Sequence, residues 1–219
     1  LMPSMFSSDH SVSDAEKLSA NLGNEAITIP IKSLYDGYME ALSPVFQGKP
    51  FNLAEENLQA RSRAVLLMAI SNKLGYILLN TSNKSELSVG YSTLYGDLCG
   101  AISVIGDVYK NQVYALARYI NRNQEIIPVN IIEKAPSAEL RPGQKDADSL
   151  PDYDVLDELL KHYIEEKKGI EELITMGYDQ TVVNKVVALV NASEYKRYQA
   201  PPILRVSNKA FGKGRLMPL

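Results

Sequence analysis

The chain carries a single cysteine, Cys99, and only two histidines, His10 and His162, far apart in sequence. One thiol cannot close an internal disulfide or build a cysteine zinc cluster, which suits a reducing cytoplasm. Two separated imidazoles cannot supply a His-rich metal site. Long hydrophobic runs are missing as well: the apolar stretches, such as residues 76–79, fall far short of the ~20 residues a bilayer crossing needs. There is no excess of positive charge. Twenty-three Lys plus Arg face 26 Asp plus Glu for a net charge of −3, which argues against non-specific nucleic-acid binding through a basic face. A Gly-x-Ser-x-Gly elbow, paired-Cys spacings, internal repeats and low-complexity tracts are all lacking. What is there is ordinary: 219 residues, 45% hydrophobic and 22% charged. That composition excludes disorder and fibrous repeats and fits one α/β domain with at most a small appendage.

Leu1 is not an initiator methionine, and no charged-then-apolar signal segment follows it. Leu1-Met2-Pro3-Ser4 reads as the tail of a strand running into a loop, so the chain is expected to be a piece of a longer protein. Ser13-Asp14-Ala15-Glu16 has the form of a capping box, followed by a helical face at Ala15, Leu18 and Leu22 and a stop at Gly23. Residues 26–31 read as a short strand, and residues 32–42 as a helix ending before Pro44. Residues 53–74 form the longest helical pattern, terminated by Gly75. Residues 76–80 read as a strand buried on both faces. Residues 81–86 start the next helix, and residues 107–121 form another, with Val108, Val113, Leu116 and Ile120 inward. Strand, long helix, strand, helix implies crossovers and a parallel sheet. Residues 134–151 are polar, with Pro136, Pro142, Gly143 and Pro151, and read as an excursion. Helices are then expected near residues 153–166, 170–176 and 180–198. Pro201 and Pro202 close that tail, and Gly212, Lys213, Gly214 and Arg215 read as irregular. The implied division is residues 1–132 as an α/β core, 133–151 as the excursion and 152–219 as a helical tail.

In open parallel sheets ligands sit beyond the carboxyl ends of the strands. Thr81-Ser82-Asn83-Lys84-Ser85-Glu86 occupies such a junction. Helix-start amides and the Thr81 hydroxyl suit a phosphate, and Glu86 suits a Mg²⁺ bridging phosphate oxygens. Ordinary N-capping by Ser and Asn explains the same string. Glu55 and Glu56 before Arg61 and Arg63 offer a ligand-reaching arginine, or simply dipole compensation on a solvated helix. Tyr91-Ser92-Thr93-Leu94-Tyr95-Gly96-Asp97 suits a ring and a sugar, or a packed turn. Lys196 and Arg197 fit either an anionic ligand or the end of the last helix.

Taken in order, several segments are no longer generic. They are Leu1-Met2-Pro3-Ser4 with Ser7-Ser8, Glu56-Asn57-Leu58-Gln59-Ala60-Arg61-Ser62-Arg63, residues 81–86 and Val89-Gly90 with the Tyr91–Asp97 loop. Pro136-Ser137-Ala138-Glu139-Leu140-Arg141-Pro142-Gly143-Gln144-Lys145-Asp146, Glu194-Tyr195-Lys196-Arg197, Ala200-Pro201-Pro202 and Ala210-Phe211-Gly212 complete the series. The whole series resembles the synthetase domain of the NAD⁺ synthetase family, and its closing segments resemble the glutamine-dependent bacterial branch. The resemblance implies a Rossmann-like parallel sheet of the adenine nucleotide alpha hydrolase, or ATP-pyrophosphatase, type, acting as a dimer. It implies ATP and Mg²⁺, with deamido-NAD⁺ and ammonia, drawn from glutamine by an upstream glutaminase domain, as substrates. By position it assigns Met2, Thr81, Lys110 and Ser137 to ATP. It assigns Asn57, Arg61, Glu86, Tyr91 and Lys196 to deamido-NAD⁺, with Glu86 also on the metal.

Three departures from the family pattern stand out. The Ser-Gly-Gly-x-Asp-Ser pyrophosphate loop belongs upstream of Leu1, together with a metal-binding Asp and an N-terminal strand, so residues 1–219 alone are expected to be inactive. Ser82 stands where glycine is usual, and its side chain is expected to crowd a phosphate or resist a positive φ. Ala64 replaces a usual glycine and favours its helix by roughly 0.5–1 kcal/mol. Two other readings stay open: a further ATP pyrophosphatase, such as GMP synthetase or a tRNA-thiolating enzyme, or a truncated copy serving only as an assembly surface.

Overall fold

A computed structural model describes residues 1–212, 214 and 215. Lys213 lies outside them. Helix α1 (Asp9–Leu22) begins before Ser13, because Ser8 is the residue that caps it by accepting the Ser11 N–H. Ser13 lies inside the helix and donates to the His10 carbonyl, so the expected capping box is not formed. Gly23 does end α1, with φ +68°. Residues 24–31 form no strand. They are laced to the first residues instead: Ile29 and Ile31 donate to the carbonyls of Leu1 and Pro3, at 2.7 and 3.0 Å. Pro30, between them, has no N–H to give.

Helix α2 (Lys32–Phe46) runs through Pro44 rather than stopping before it, ending at Gln47. Pro44 has no N–H to give to the carbonyl four residues before it, so the helix continues there without that bond. Helix α3 (Leu53–Leu74) spans the expected residues, and Gly75 follows at φ +70°. Strand β1 is only Leu79–Asn80. It is not buried on both faces: Tyr76, Ile77 and Leu79 are 64%, 72% and 53% exposed.

Helix α4 (Lys84–Val89) leads to strand β2 (Ile102–Ser103), which nothing in the pattern of residues singled out. The two strands pair in parallel, Leu79 with Ile102 and Asn80 with Ser103. A parallel bridge from Ser103 to Ile203 continues the sheet. Helix α5 (Lys110–Ile120) starts later than expected and leaves Leu116 and Ile120 exposed. Helix α6 (Val129–Glu133) and a 3-10 turn at Asp146–Asp148 precede α7 (Tyr153–Ile164) and α8 (Ile170–Thr175). The expected last helix is two, α9 (Gln180–Ala192) and α10 (Glu194–Arg197). Arg197 accounts for the break. Its buried guanidinium donates to the Val190 carbonyl at 2.5 Å and to Leu87 and Ser88 at 3.2 and 2.7 Å, closing the ends of α9 and α4 together.

The chain divides into two units, Leu1–Leu66 with Tyr114–Ser149, and Leu67–Val113 with Leu150–Leu219. The second holds the main apolar core, where Leu87, Leu98, Leu156, Leu159, Leu160 and Val186 cluster between α4, α7 and α9. The first buries fewer apolar side chains, among them Ile31, Tyr35, Ala60 and Ala64. No helix among the described residues is long and apolar enough to cross a membrane.

Candidate functional site

In the second unit, β1 ends at Asn80, and this buried amide organises the turn that follows. Its Nδ2 donates to the carbonyls of Asp97 and Cys99, at 2.6 and 3.2 Å. Its Oδ1 accepts from the Ser82 N–H at 3.0 Å and from the Ser103 hydroxyl at 3.2 Å. Thr81 is left exposed at the carboxyl end of the strand. Ser82 is buried, and its backbone is not left-handed, so the expected conflict with a positive φ does not arise. Its hydroxyl lies 3.4 Å from the Asp97 carbonyl.

Asn83 and Glu86 form a capping box at the start of α4, with the Asn83 N–H 3.2 Å from Glu86 Oε2. Glu86 Oε1 faces Lys110 Nζ at 3.3 Å, both side chains about one-fifth exposed. The carboxylate thus serves as cap and as ion-pair partner at once. Lys110 is brought there by its backbone N–H, which donates to Ser85 Oγ at 2.9 Å. Ser85 in turn donates to Asp157 on α7 at 2.5 Å.

Beneath this corner lies a charge cluster that the sequence pattern did not disclose. Lys84 is fully buried and reaches Asp107 at 2.9 Å, Glu165 at 2.7 Å and Ser207 Oγ at 2.9 Å. Asp107 also accepts from the backbone N–H groups of Val206 and Ser207, at 2.8 and 2.6 Å. Burial works against its charge, but the hydrogen bonds from Ser207, Lys84 and Val206 win and hold its carboxyl below the usual value of 3.8. A carboxyl depressed in the folded state stabilises above its unfolded value and loses that contribution as pH falls through the folded one. In Asp107→Asn, stability should therefore be lower at neutral pH, and the gap to the parent should narrow below pH 3.8. Urea midpoints measured across that range check this; a constant gap would mean Asp107 acts by shape alone.

The loop after α4 is pinned from α10. Lys196 does not serve its own helix end: it donates to the carbonyls of Gly90 and Ser92, both at 2.7 Å. Gly90 is left-handed at φ +67°, and a Cβ there would fall 2.1 Å from Ser193 Oγ, so only glycine permits this closure. Burial pulls the Lys196 pKa down while Asp97 pulls it up. An ammonium has three donors, and two are spent. Asp97 also interacts electrostatically with Glu86 and accepts the Thr93 N–H at 2.5 Å. It belongs to the loop singled out from sequence but had been given no role. Tyr91, Glu86, Lys110 and Lys196 thus fall in one unit, with Asp97 joining them.

The first unit holds Met2, Asn57, Arg61 and Ser137. Met2 lines a cavity of about 200 Å³ with Pro3, Ser7, Ser11, Arg63 and Glu139. The Met2 carbonyl accepts from Arg63 Nε at 2.9 Å. Ser137 Oγ donates to the Gln144 carbonyl at 2.6 Å and accepts the Glu139 N–H at 3.1 Å. Asn57 and Arg61 are half-buried on α3. The acids before them are not a solvated face. Glu55 and Glu56 are buried, Glu55 accepting the Asn52 N–H at 2.8 Å and Glu56 facing Arg141 at 3.8 Å.

Among the described residues no three His, Cys, Asp or Glu side chains gather around a common point. Mg²⁺ in nucleotide sites uses one or two carboxylates plus substrate phosphates. Glu86 is partly exposed at the start of α4, with one oxygen facing the Asn83 N–H and the other Lys110.

A glutamine-dependent NAD(+) synthetase of Synechocystis is 54% identical over the whole chain, which spans 39% of that protein. The structure of a glutamine-dependent NAD+ synthetase from Acinetobacter baumannii, in complex with ADP, matches with 42% identity and a TM-score of 0.60, covering 98% of this chain and 38% of that one. An NMN synthetase from Francisella tularensis matches at 27% identity with a TM-score of 0.75, covering 95% and 77%. The chain therefore spans about two-fifths of the length of the curated relatives it matches. The NAD synthase family model covers residues 1–200, and the chain belongs to that family.

Proposed function

We propose that this chain is the amide-forming part of a glutamine-dependent NAD⁺ synthetase with a Rossmann-like ATP-pyrophosphatase fold, acting as a dimer. A carboxylate is a poor acyl donor. In the proposed reaction an oxygen of the nicotinate carboxylate of deamido-NAD⁺ attacks the α-phosphorus of ATP and releases pyrophosphate. Ammonia then attacks the acyl carbon, loses a proton and expels AMP, leaving NAD⁺. The observation that carries the reading is the junction after β1: a partly exposed Glu86–Lys110 pair beside an exposed Thr81 at the carboxyl end of a parallel strand.

Thr81 and Lys110 are assigned to ATP phosphates, as are Met2 and Ser137 to ATP in the first unit. Glu86 is assigned to the metal and, with Asn57, Arg61, Tyr91 and Lys196, to deamido-NAD⁺. When bound, Mg²⁺ supplies neutralisation of phosphate charge as pyrophosphate departs. The chain itself positions the reactants. Lys110 offers its ammonium to a phosphate oxygen, and the third Lys196 donor is available to an anionic group of deamido-NAD⁺.

The test uses the protein that carries this chain, with ATP, Mg²⁺ and deamido-NAD⁺. Without ammonia, labelled pyrophosphate should enter ATP only when deamido-NAD⁺ is present; with ammonium, NAD⁺ and AMP should appear in equal amounts. Formation of ADP and phosphate would overturn the reading. The similarity to an NMN synthetase makes the mononucleotide the informative rival substrate, and a higher kcat/KM for it would move the assignment there. Lys196→Met should weaken deamido-NAD⁺ by about 10- to 150-fold, the worth of one charge-assisted hydrogen bond, with ATP affinity unchanged. Separate titrations of the two ligands decide it, and an unchanged deamido-NAD⁺ affinity would reduce Lys196 to a tie for the Gly90–Ser92 turn.

A further inference from the structure

Residues 134–145 contain no regular element, yet they follow one defined course. At its centre Glu139 holds φ +50°, a left-handed conformation that non-glycine side chains avoid. The cost is offset by what the side chain reaches. Its carboxylate accepts from the Ser8 N–H at 3.2 Å, Ser8 Oγ at 2.9 Å, Ser11 Oγ at 2.8 Å and Lys134 Nζ at 2.7 Å. Lys134 also lies 3.0 and 2.6 Å from the two serine hydroxyls. The serines are the cap and first turn of α1, where a carboxylate satisfies an orphan donor and meets the positive end of the helix. Burial opposes the charge on Glu139, but Lys134, Ser11 and Ser8 outweigh it and keep the carboxyl below its ordinary range.

On its other side Glu139 governs the excursion. Its N–H donates to Ser137 Oγ, which donates onward to the Gln144 carbonyl. The next residue, Leu140, donates to Gln144 Oε1 at 2.8 Å and accepts from Gln59 Nε2 on α3 at 2.8 Å. One residue therefore joins the start of α1 to the Ser137 hydroxyl, and it stands with Ala138, Met2 and Arg63 around the same cavity.

We propose that Glu139 is a positioning residue: its closure on the first turn of α1 fixes the Ser137 hydroxyl and the Ala138 wall of that cavity, and so sets nucleotide affinity. The effect on ATP rests on the reading that Met2 and Ser137 contact ATP; the latch itself does not.

The experiment uses the full-length protein carrying Glu139→Gln, Lys134→Met, Ser137→Ala or the Glu139→Gln/Ser137→Ala pair. Without nucleotide, trypsin cleavage after the exposed Lys145 should rise at least ~10-fold in Glu139→Gln and Lys134→Met, with thermal melting little changed, because a local rather than global opening is released. ATP should bind roughly 10-fold more weakly to Glu139→Gln and to Ser137→Ala, and KM for ATP should rise with kcat nearly kept. The double variant should bind no worse than Ser137→Ala, since one residue acts through the other. Parent-like cleavage of both latch variants, or losses that multiply in the double, overturns the proposal. Accelerated cleavage with normal ATP binding by Ser137→Ala upholds the latch and overturns the ATP assignment of Ser137 instead.

Discussion

Replacing Lys84 with methionine is expected to cost about 3–5 kcal/mol of stability, because it leaves two carboxylates buried without their counter-charge. Asp107 and Glu165 both rest on that one ammonium, and their side chains are 0% and 14% exposed. Methionine fills nearly the same volume, so packing is not what is lost. In a chain of this size each kcal/mol moves the melting temperature by about 2–4 °C, which gives a fall of roughly 6–20 °C in calorimetry. Adding Glu165→Leu should return part of the loss, since a matched apolar replacement removes an unpaired charge. A fall below ~1 kcal/mol in Lys84→Met would mean that the cluster contributes no more than a surface pair does. The cluster matters beyond stability. Lys84 begins α4 and Asp107 lies three residues before Lys110, so the same contacts hold the backbone at both ends of the Glu86–Lys110 pair.

If Glu86 holds the metal as proposed, Glu86→Gln lowers turnover by at least ~10-fold while leaving the fold nearly intact, because an amide does not replace the charge of a metal-binding carboxylate. Glutamine keeps the capping box, since its carbonyl accepts the Asn83 N–H as the carboxylate does. What it removes is the charge facing Lys110. The stability change should stay within about 1 kcal/mol, the value of a partly exposed pair. Steady-state rates over a Mg²⁺ titration, with a melting curve beside them, separate the two functions of the residue. Parent-like rates at every Mg²⁺ concentration would leave Glu86 as a helix cap and nothing more.

Local patterns were legible wherever the physics is local. The 22-residue α3 spans the residues expected of it, and its stop at Gly75 follows from glycine's tolerance of a left-handed backbone. The polar start of α4 was visible as a cap and is one, with Glu86 in both the capping and the ion-pairing arrangement. Errors gathered where a neighbour far along the chain decides. Ser13 offered a capping box, but Ser8 took the cap because Glu139 and Lys134 gather around it from residues more than 120 positions away. One long last helix was the natural reading of residues 180–198, and Arg197 divides it by reaching carbonyls of α4. The apolar run 76–80 looked like a strand buried on both faces, and only two of its residues pair.

The amino-acid sequence by itself carried the family, the span of α3 and the residue types collected at the junction after β1. These depend on spacing and side-chain chemistry, which a linear reading preserves. Tertiary structure alone decided which charges are buried and whom they serve. Lys84 is given no role of its own in the polar string 81–86, Lys196 reads as a helix-end charge, and Glu139 as part of a polar excursion. Each proves to be bound by groups brought from remote segments, Asp107 and Glu165, Gly90 and Ser92, Ser8 and Ser11. The physical reason is the cost of desolvation: a buried charge persists only where partners converge on it, and convergence is a property of the fold, not of the neighbouring residues.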